Sequence, residues 1–319
     1  MKKLFTYIRT PYALKLYLVL AIILAVYVLI GQLGVVVWPE RLHWRYSLLI
    51  LIAVMAFWTI FTQVWRQNLQ LTVGQSISFS VAVRHTAMLL VGKYFPGKVW
   101  GVVARERDAA NQGIATGAVY AASYLEQLLT AHSGLLLGIW VLLSSRASGF
   151  LEMSLMVLSV LSVFVLPRLH DQFLEWLKAY SGRKWQGLSN LLAHFNIATS
   201  TYLVLFLGCL LQWVALGAIL VAVEVFITGS WPAIPLLILL VGVNAIAMLA
   251  GFAALFAPGG IGVREGVMVA LLTPTLGLAE ATVLSVTMRI VMVCADLLLG
   301  SFVALSGQNL RGLQTGKRP

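Results

Sequence analysis

Long apolar segments separated by short polar ones run through almost the whole chain. An α-helix needs about 20 apolar residues to cross the hydrocarbon core of a bilayer, and a membrane strand would instead alternate apolar with polar residues. No such alternation is present. Seven segments fit a spanning helix, at about 14–38, 47–64, 118–143, 151–166, 201–227, 234–256 and 280–305.

Two further segments fit a spanning helix less well. Residues 76–95 are interrupted by three serines, Arg84, His85 and Thr86. An arginine at the bilayer centre costs about 2.5–3.5 kcal/mol on insertion scales, so we expect this segment to be a re-entrant helix buried in the bundle. The apolar run 267–272 is too short to cross unaided. The pattern predicts an all-α polytopic membrane protein with about 7–8 transmembrane helices plus short re-entrant helices, residues 1–319 forming one transmembrane domain.

A Pro-Gly motif followed by Arg-Glu occurs twice, after an apolar run each time. Proline removes a backbone donor and glycine admits positive φ, so each motif breaks a helix. Interrupted segments at matching positions of two halves indicate a binding site, and four predicted spans between the motifs would place both at the same end of a parallel repeat. The two halves are about 1–145 and 150–305, and the motifs read Pro96-Gly97-Lys98 with Arg105-Glu106, and Pro258-Gly259-Gly260-Ile261-Gly262-Val263-Arg264-Glu265.

Composition agrees with a membrane protein and constrains its partners. The chain is 60% hydrophobic and 10% charged, with a net charge of +11, whereas soluble domains carry roughly 25% charged residues. With so few charges facing water, the positive charge favours an anionic lipid surface or ligand over nucleic acid. Both cysteines lie in apolar runs, so neither a disulfide, a metal site nor a cofactor is expected.

Basic residues cluster in three places, which predicts the orientation. They lie in the N-terminus, in 168–199 and in the tail 306–319, and the positive-inside rule assigns all three to the cytoplasm. Both termini on one side require an even number of crossings, so we expect a short element, 261–275, to cross or nearly cross. Two apolar stripes in 168–199 predict a hairpin of amphipathic helices on the surface of the cytoplasmic (inner) membrane.

The paired motifs resemble those of the transmembrane, flippase-like region of lysylphosphatidylglycerol synthetases and their stand-alone relatives. The stretches that carry the resemblance are Lys93-Tyr94-Phe95-Pro96-Gly97-Lys98 with Arg105, and Phe256-Ala257-Pro258-Gly259-Gly260-Ile261-Gly262-Val263-Arg264-Glu265-Gly266. The resemblance implies translocation of charged phospholipids between leaflets, or a role in glycolipid or polyprenyl-linked sugar pathways. It does not imply aminoacyl transfer, which needs a separate soluble domain.

The motifs supply the candidate substrate-binding residues. Arginine stays charged and binds phosphate in a fork, so each Arg is either a ligand for a phosphate head group or a structural ion-pair partner. A version that unites both pairs Arg105 with Glu265 and Arg264 with Glu106 across the repeat axis. The full candidate set is Lys93, Pro96, Gly97, Lys98, Arg105, Glu106, Pro258, Gly259, Gly260, Gly262, Arg264 and Glu265.

Further polar residues within apolar segments are expected to support this set. Arg84, Arg289 and Asp296 are candidates for such support, and the last two share a helix face. Glu126 is either a proton or cation site or the buried partner of Arg84 or Arg289. On the same span, spacing places three polar residues on one face that we expect to line a polar interior: Tyr120, Tyr124 and Gln127.

The leading function is translocation of an anionic phospholipid or polyprenyl-phosphate-linked glycolipid across the membrane. A membrane glycosyltransferase, an accessory scaffold of a glycolipid or cell-envelope pathway, and a small-solute transporter stay open as alternatives. No catalytic motif or nucleotide-binding loop is visible, so we do not expect an enzyme. The expected partners are membrane lipids with anionic or phosphate-containing head groups, with a homo-oligomer or envelope-biosynthesis proteins as further candidates.

Overall fold

The computed structural model describes residues 38–95, 99–144, 149–181, 199–254 and 257–314. Within these ranges the protein is helical and has no strand. Short 3-10 helices cover Trp44–Tyr46 and Pro258–Gly260. The α-helices are α1 Ser47–Val73, α2 Phe79–Gly92, α3 Trp100–Ala110, α4 Thr116–Ser144, α5 Phe150–Ser181, α6 Thr199–Thr228, α7 Ile234–Ala253, α8 Val263–Leu276 and α9 Leu278–Gln314.

Six helical segments are long and apolar enough to span a membrane, which confirms an all-helical membrane fold. The predicted first span, 14–38, lies outside the described residues. The six segments are Trp44–Val73, Thr116–Leu143, Glu152–Leu169, Ser200–Thr228, Ile234–Ala253 and Leu278–Ser306.

The helices run between two ends of the bundle, which we call end A and end B. At end A, the Tyr46 hydroxyl donates to the Gly229 carbonyl, joining the start of α1 to the turn between α6 and α7. At end B, the Asn68 side chain donates to the Ala122 carbonyl, joining the end of α1 to the start of α4. Helices α2 and α6 also begin at end B, and α7 begins at end A.

Helices α2 and α3 form an antiparallel hairpin that extends inward from end B. Arg84 contacts Asp108 at 3.1 Å, and the Arg105 Nε donates to the His85 carbonyl at 2.8 Å. Nearer the tip, a Cβ on Gly101 would lie 2.8 Å from the Leu89 Cα. We call this unit, residues 79–110, the first hairpin.

Helices α7 and α8 form a second hairpin, residues 234–276, that extends inward from end A. Its turn is tight because a Cβ on Gly260, whose φ is +72°, would lie 2.8 Å from the Gly251 Cα. The tips of the two hairpins meet, and the Gly259 amide donates to the Lys93 carbonyl at 2.8 Å. Helix α9 contacts both hairpins, through Asp296 with Tyr94 and through Ser285 with Glu265.

The expectation that both motifs lie at the same end is therefore wrong. The first hairpin returns to end B before α4 begins, whereas α7 starts at end A and stops at the tip of the second hairpin. The hairpins consequently point at each other from opposite ends of the bundle. Counting spans between the motifs missed this, because α2 and α3 on either side of the first motif are too short to be counted as spans.

Helix α5 also differs from the prediction, because it continues through Pro167 to Ser181 instead of ending there. Proline removes one backbone donor, whereas ending a helix in lipid leaves several backbone groups unpaired. Residues 168–181 are thus part of α5 and not a separate surface helix. The second half of that predicted hairpin, residues 182–198, lies outside the described residues.

Two predicted helices end too early in the sequence. Helix α1 extends past the predicted end at 64 to Val73, because its polar last turns have partners such as Arg66 with the Ile77 carbonyl. Helix α9 extends to Gln314, so the predicted tail is helical over 306–314. Residues 315–319 lie outside the described part.

The first hairpin tests whether close backbone approach stabilises the fold. Gly101→Ala should lower the melting temperature, because the new Cβ meets the backbone of α2 and overpacking costs about 1–3 kcal/mol. Gly266→Ala is the matched control, since a Cβ on this helical glycine meets nothing within 4 Å. Alanine there should stabilise the helix by about 1 kcal/mol.

The measurement is thermal unfolding of both purified variants in detergent, with tryptophan fluorescence as the readout. Equal shifts for the two variants would contradict the close packing of α2 on α3.

Candidate functional site

The point where the hairpin tips meet is rich in buried charge, and we call it the tip junction. The end of α2 supplies a lysine and a tyrosine, the second hairpin supplies a glycine, an arginine and a glutamate, and α9 supplies an arginine and an aspartate. The tip junction consists of Lys93, Tyr94, Gly259, Arg264, Glu265, Arg289 and Asp296.

Asp296 joins the first hairpin to α9. Its side chain is fully buried, and its Oδ2 lies 2.6 Å from the Lys93 Nζ. The same oxygen accepts a 2.6 Å hydrogen bond from the Tyr94 hydroxyl, while Oδ1 is buried and has no hydrogen-bond partner among the described residues. The lysine and the tyrosine of one hairpin tip are thus held by a single carboxylate oxygen.

Arg289 and Glu265 organise the glycine turn of the second hairpin. The Arg289 Nη1 donates to the Gly259 carbonyl at 3.0 Å, and its Nε lies 3.6 Å from the Glu265 Oε1. The Glu265 Oε2 accepts a 2.7 Å hydrogen bond from the Gly262 amide, which caps the start of α8. Glycines are needed in this turn because Gly259 and Gly262 have φ values of +59° and +80°.

Arg264 differs from every other charge of the tip junction. It is only 4% exposed, yet it makes no hydrogen bond and no ion pair within the described part of the chain, and its Nη2 is buried without a partner. A second cation, Arg289, lies close enough to repel it, and the carboxylates of Glu265 and Asp296 are near enough to attract it without contacting it. A buried charge without a partner is costly, so this arginine has unused capacity for an anion.

Arg105 lies in a separate group of residues, the Arg105 cluster, where every part of its guanidinium group is engaged. Its Nη1 lies 2.5 Å from the Glu126 Oε2, its Nε donates to the His85 carbonyl, and its plane lies 3.7 Å from the centre of the Trp65 ring. Both Arg105 and Glu126 are at most 1% exposed. An arginine with this set of partners is structural.

Asp108 extends the Arg105 cluster toward the surface at end B. Its Oδ2 lies 3.1 Å from the Arg84 Nη2 and 3.2 Å from the His85 Nε2. Burial raises the pKa of the Asp108 carboxyl, but the contact with His85 and the charge of Arg84 outweigh burial, so the pKa lies below its usual value. The carboxylate therefore stays ionised at neutral pH and balances Arg84.

The comparison with known families covers nearly the whole chain. The family described as the lysylphosphatidylglycerol synthase TM region matches residues 12–300. The chain belongs to this family. No curated protein and no solved structure matches it. The match includes both hairpins and α9 as far as residue 300, so the tip junction lies within the family region.

In this family member the predicted pairing across the repeat axis is wrong. Arg105 pairs with Glu126 and not with Glu265. Glu106 accepts a hydrogen bond from Thr116, and Arg264 pairs with neither glutamate. The expectation that Glu126 pairs with Arg84 or Arg289 fails with it, because α3 and α4 pack side by side and bring Arg105 closer to Glu126.

The structure brings together only part of the candidate set. Lys93, Gly259, Arg264 and Glu265 meet in the tip junction, with Arg289 and Asp296 beside them. Arg105, with Arg84 and Glu126, belongs to the Arg105 cluster, and Glu106 contacts the start of α4. Pro258 and Gly260 lie in the 3-10 helix and Gly262 precedes α8, whereas Pro96, Gly97 and Lys98 lie outside the described residues.

Sequence reasoning also missed residues and misplaced a helix face. Tyr94 was not in the candidate set, although it is the neighbour of Lys93 in the first motif. On α4, Tyr124 and Gln127 are exposed, so the expected polar interior face is wrong. The buried polar face consists of Ser123, Glu126, Thr130 and Ser133. Spacing alone fits either face, because a tyrosine suits lipid or interior equally well.

The two arginines should respond differently to loss of charge in the ligand-free protein. Arg105→Gln should lower stability by about 3–5 kcal/mol, because Glu126 is left buried without its partner. Arg264→Gln should leave stability unchanged or raise it, because it removes a buried charge that has no partner. The measurement is thermal unfolding in a neutral detergent without anionic lipid.

Replacing both partners, Arg105→Gln with Glu126→Gln, should restore part of the stability lost in the single variant. A melting temperature that falls equally in Arg105→Gln and Arg264→Gln would show that Arg264 is a structural residue as well.

Proposed function

We propose that this protein translocates lipids with an anionic, phosphate-containing head group between the leaflets of the cytoplasmic membrane, and that Arg264 binds the head group. The observation that carries the proposal is a buried arginine that makes no hydrogen bond or ion pair with a described residue, at the meeting point of two opposed hairpins. Membership in a family of lipid-related membrane proteins supports it.

The chemistry around Arg264 suits a phosphate. A guanidinium group presents paired donors that match two phosphate oxygens, and such charge-assisted hydrogen bonds are about twice as strong as neutral ones. Arg264 lies in the first turn of α8, where backbone N–H groups and the helix dipole favour an anion. Lys93 and Arg289 add positive charge nearby, so an anion meets three cations at one place.

The arrangement of the hairpins suits a path across the bilayer. The helices of the first hairpin are too short to cross, and the second hairpin turns back at its tip toward end A, so neither connects the two ends alone. Together the hairpins reach inward from opposite ends and meet at the site. Irregular backbone is tolerated at membrane depth where protein buries it or where it lines a cavity. The proposal therefore treats both hairpins as re-entrant, with the tip junction between the two leaflets.

The proposal also covers orientation and partners. Helix α5 ends and α6 begins at end B, and α9 ends there as well. The sequences that follow α5 and α9 are basic, so the positive-inside rule assigns end B to the cytoplasm. The partners are membrane lipids, and any homo-oligomer or envelope-biosynthesis protein would contact the outer faces of the bundle. No chemical step is proposed for this chain, because its role is to move a lipid rather than to alter one.

A leaflet-protection assay in proteoliposomes tests the proposal, with fluorescent phosphatidylglycerol, a polyprenyl-phosphate analogue and phosphatidylcholine as probes. Wild-type protein should move one or both anionic lipids faster than phosphatidylcholine. Arg264→Gln should slow this movement about ten- to hundredfold, the effect of losing one charged hydrogen bond of about 1.5–3 kcal/mol. Arg264→Lys should retain part of the rate.

Arg168→Gln is the matched control, because it removes one positive charge from an exposed position on α5. Its rate should equal that of the wild type. Equal rates for Arg264→Gln and wild type would remove Arg264 from the site. If the wild type moves no lipid, the translocase proposal is wrong.

A further inference from the structure

We infer that Asp296 competes with the lipid anion for Lys93, and that exchanging one for the other weakens the hold of α9 on the first hairpin. This inference rests on the proposed function and adds a mechanism to it. Asp296 holds the Lys93 ammonium group that a phosphate would bind. When a head group binds Lys93 instead, one of the two polar side-chain contacts between the hairpin tip and α9 is lost.

Both polar side-chain contacts between the described part of the hairpin tip and α9 end on Asp296. Lys93 and Tyr94 contact this carboxylate, the Lys93 carbonyl accepts from the Gly259 amide, and Tyr94 also packs against Val293. The two side-chain contacts end on the same oxygen, Oδ2 of Asp296. Withdrawing that oxygen from Lys93 therefore removes half of the side-chain connection in one step.

The accessibility of the two partners favours exchange at Lys93. The lysine side chain is 17% exposed, whereas Asp296 is fully buried, so an approaching anion meets the ammonium group first. A lysine ammonium is a compact charge on a flexible stem, which lets it change partners without moving its backbone.

Asp296 keeps other contacts after the exchange. The Tyr94 hydroxyl still donates to it, and Arg264 and Arg289 lie close enough for their charges to balance its own. Lys93 would stay paired as well, with phosphate in place of carboxylate. Breaking a buried ion pair without a replacement is strongly destabilising, so the Lys93–Asp296 contact should persist until a lipid binds. The hairpin tip would then move from α9 only when a head group is bound at Lys93.

Asp296→Asn tests the competition directly. Asparagine has the same shape and still accepts from Lys93 and Tyr94, but it carries no charge to hold the ammonium group. The affinity for phosphatidylglycerol, measured by native mass spectrometry in detergent against phosphatidylcholine, should increase about tenfold or more. A purely structural Asp296 predicts unchanged or weaker binding, and that result in a folded variant would overturn the inference.

The gain should depend on Lys93. In a Lys93→Gln background, which itself binds phosphatidylglycerol more weakly, Asp296→Asn should bring no further increase. A gain of the same size in both backgrounds would show that Asp296 acts through another cation, and the proposed exchange would be wrong. Arg264→Gln distinguishes failure of the proposed function from failure of this inference. If Arg264→Gln binds phosphatidylglycerol as well as the wild type, the proposed binding site is wrong. If Arg264→Gln binds it more weakly but Asp296→Asn shows no gain, only the proposed competition is wrong.

A disulfide between α2 and α9 tests whether transport needs the first hairpin to move relative to α9. A Cβ at position 300 would lie 2.7 Å from the Val91 Cγ2, so cysteines at these positions are within bonding reach. With Cys209 and Cys294 replaced by alanine, Val91→Cys with Gly300→Cys should bind phosphatidylglycerol when oxidised but not translocate it. Reduction should restore transport. Unchanged transport in the fully oxidised protein would overturn the inference. This test does not depend on Asp296→Asn, so it still decides the question if that variant does not fold.

Discussion

Buried charge is expensive in a low-dielectric interior, and the interior of this protein is arranged around how its arginines are balanced. Arg105 is balanced completely, by a carboxylate, a carbonyl and an aromatic ring. Arg289 is balanced in part, by the Gly259 carbonyl and a longer contact to Glu265. Arg264 makes no hydrogen bond or ion pair with a described residue, and the carboxylates of Glu265 and Asp296 act on its charge only from a distance. The two motif arginines, Arg105 and Arg264, therefore have different surroundings, although the sequence motifs that contain them look alike.

The two Arg-Glu pairs show how position in the fold changes the role of the same residues. In the first hairpin, the arginine turns toward α4 and the glutamate toward the start of that helix. In the second hairpin, the glutamate caps its own helix through the Gly262 amide, and the neighbouring arginine has no hydrogen bond to a described residue. The first motif thus stabilises a hairpin, and the second contains the arginine to which the proposed function assigns the ligand.

Glycine makes the meeting of the hairpins possible. The turn at the second tip needs positive φ values, and its backbone packs directly on Gly251 of α7. A side chain at Gly259 would contact both Arg289 and Tyr94 at about 3 Å, so the glycine also keeps space for the charged groups. The absence of side chains at these glycines therefore allows both the close backbone approach and the clustering of charged groups.

The sequence alone determined the fold class, the family resemblance and a candidate set that contains Lys93, Arg264 and Glu265. Apolar segment length and helix-breaking motifs are local properties, so they can be read without knowing which helices are neighbours. Only the tertiary structure decided that the hairpins oppose each other, that Glu126 belongs to Arg105, and that Asp296 holds Lys93. These are choices among several partners of equal chemistry, and packing distance, which spacing along the chain does not encode, selects between them.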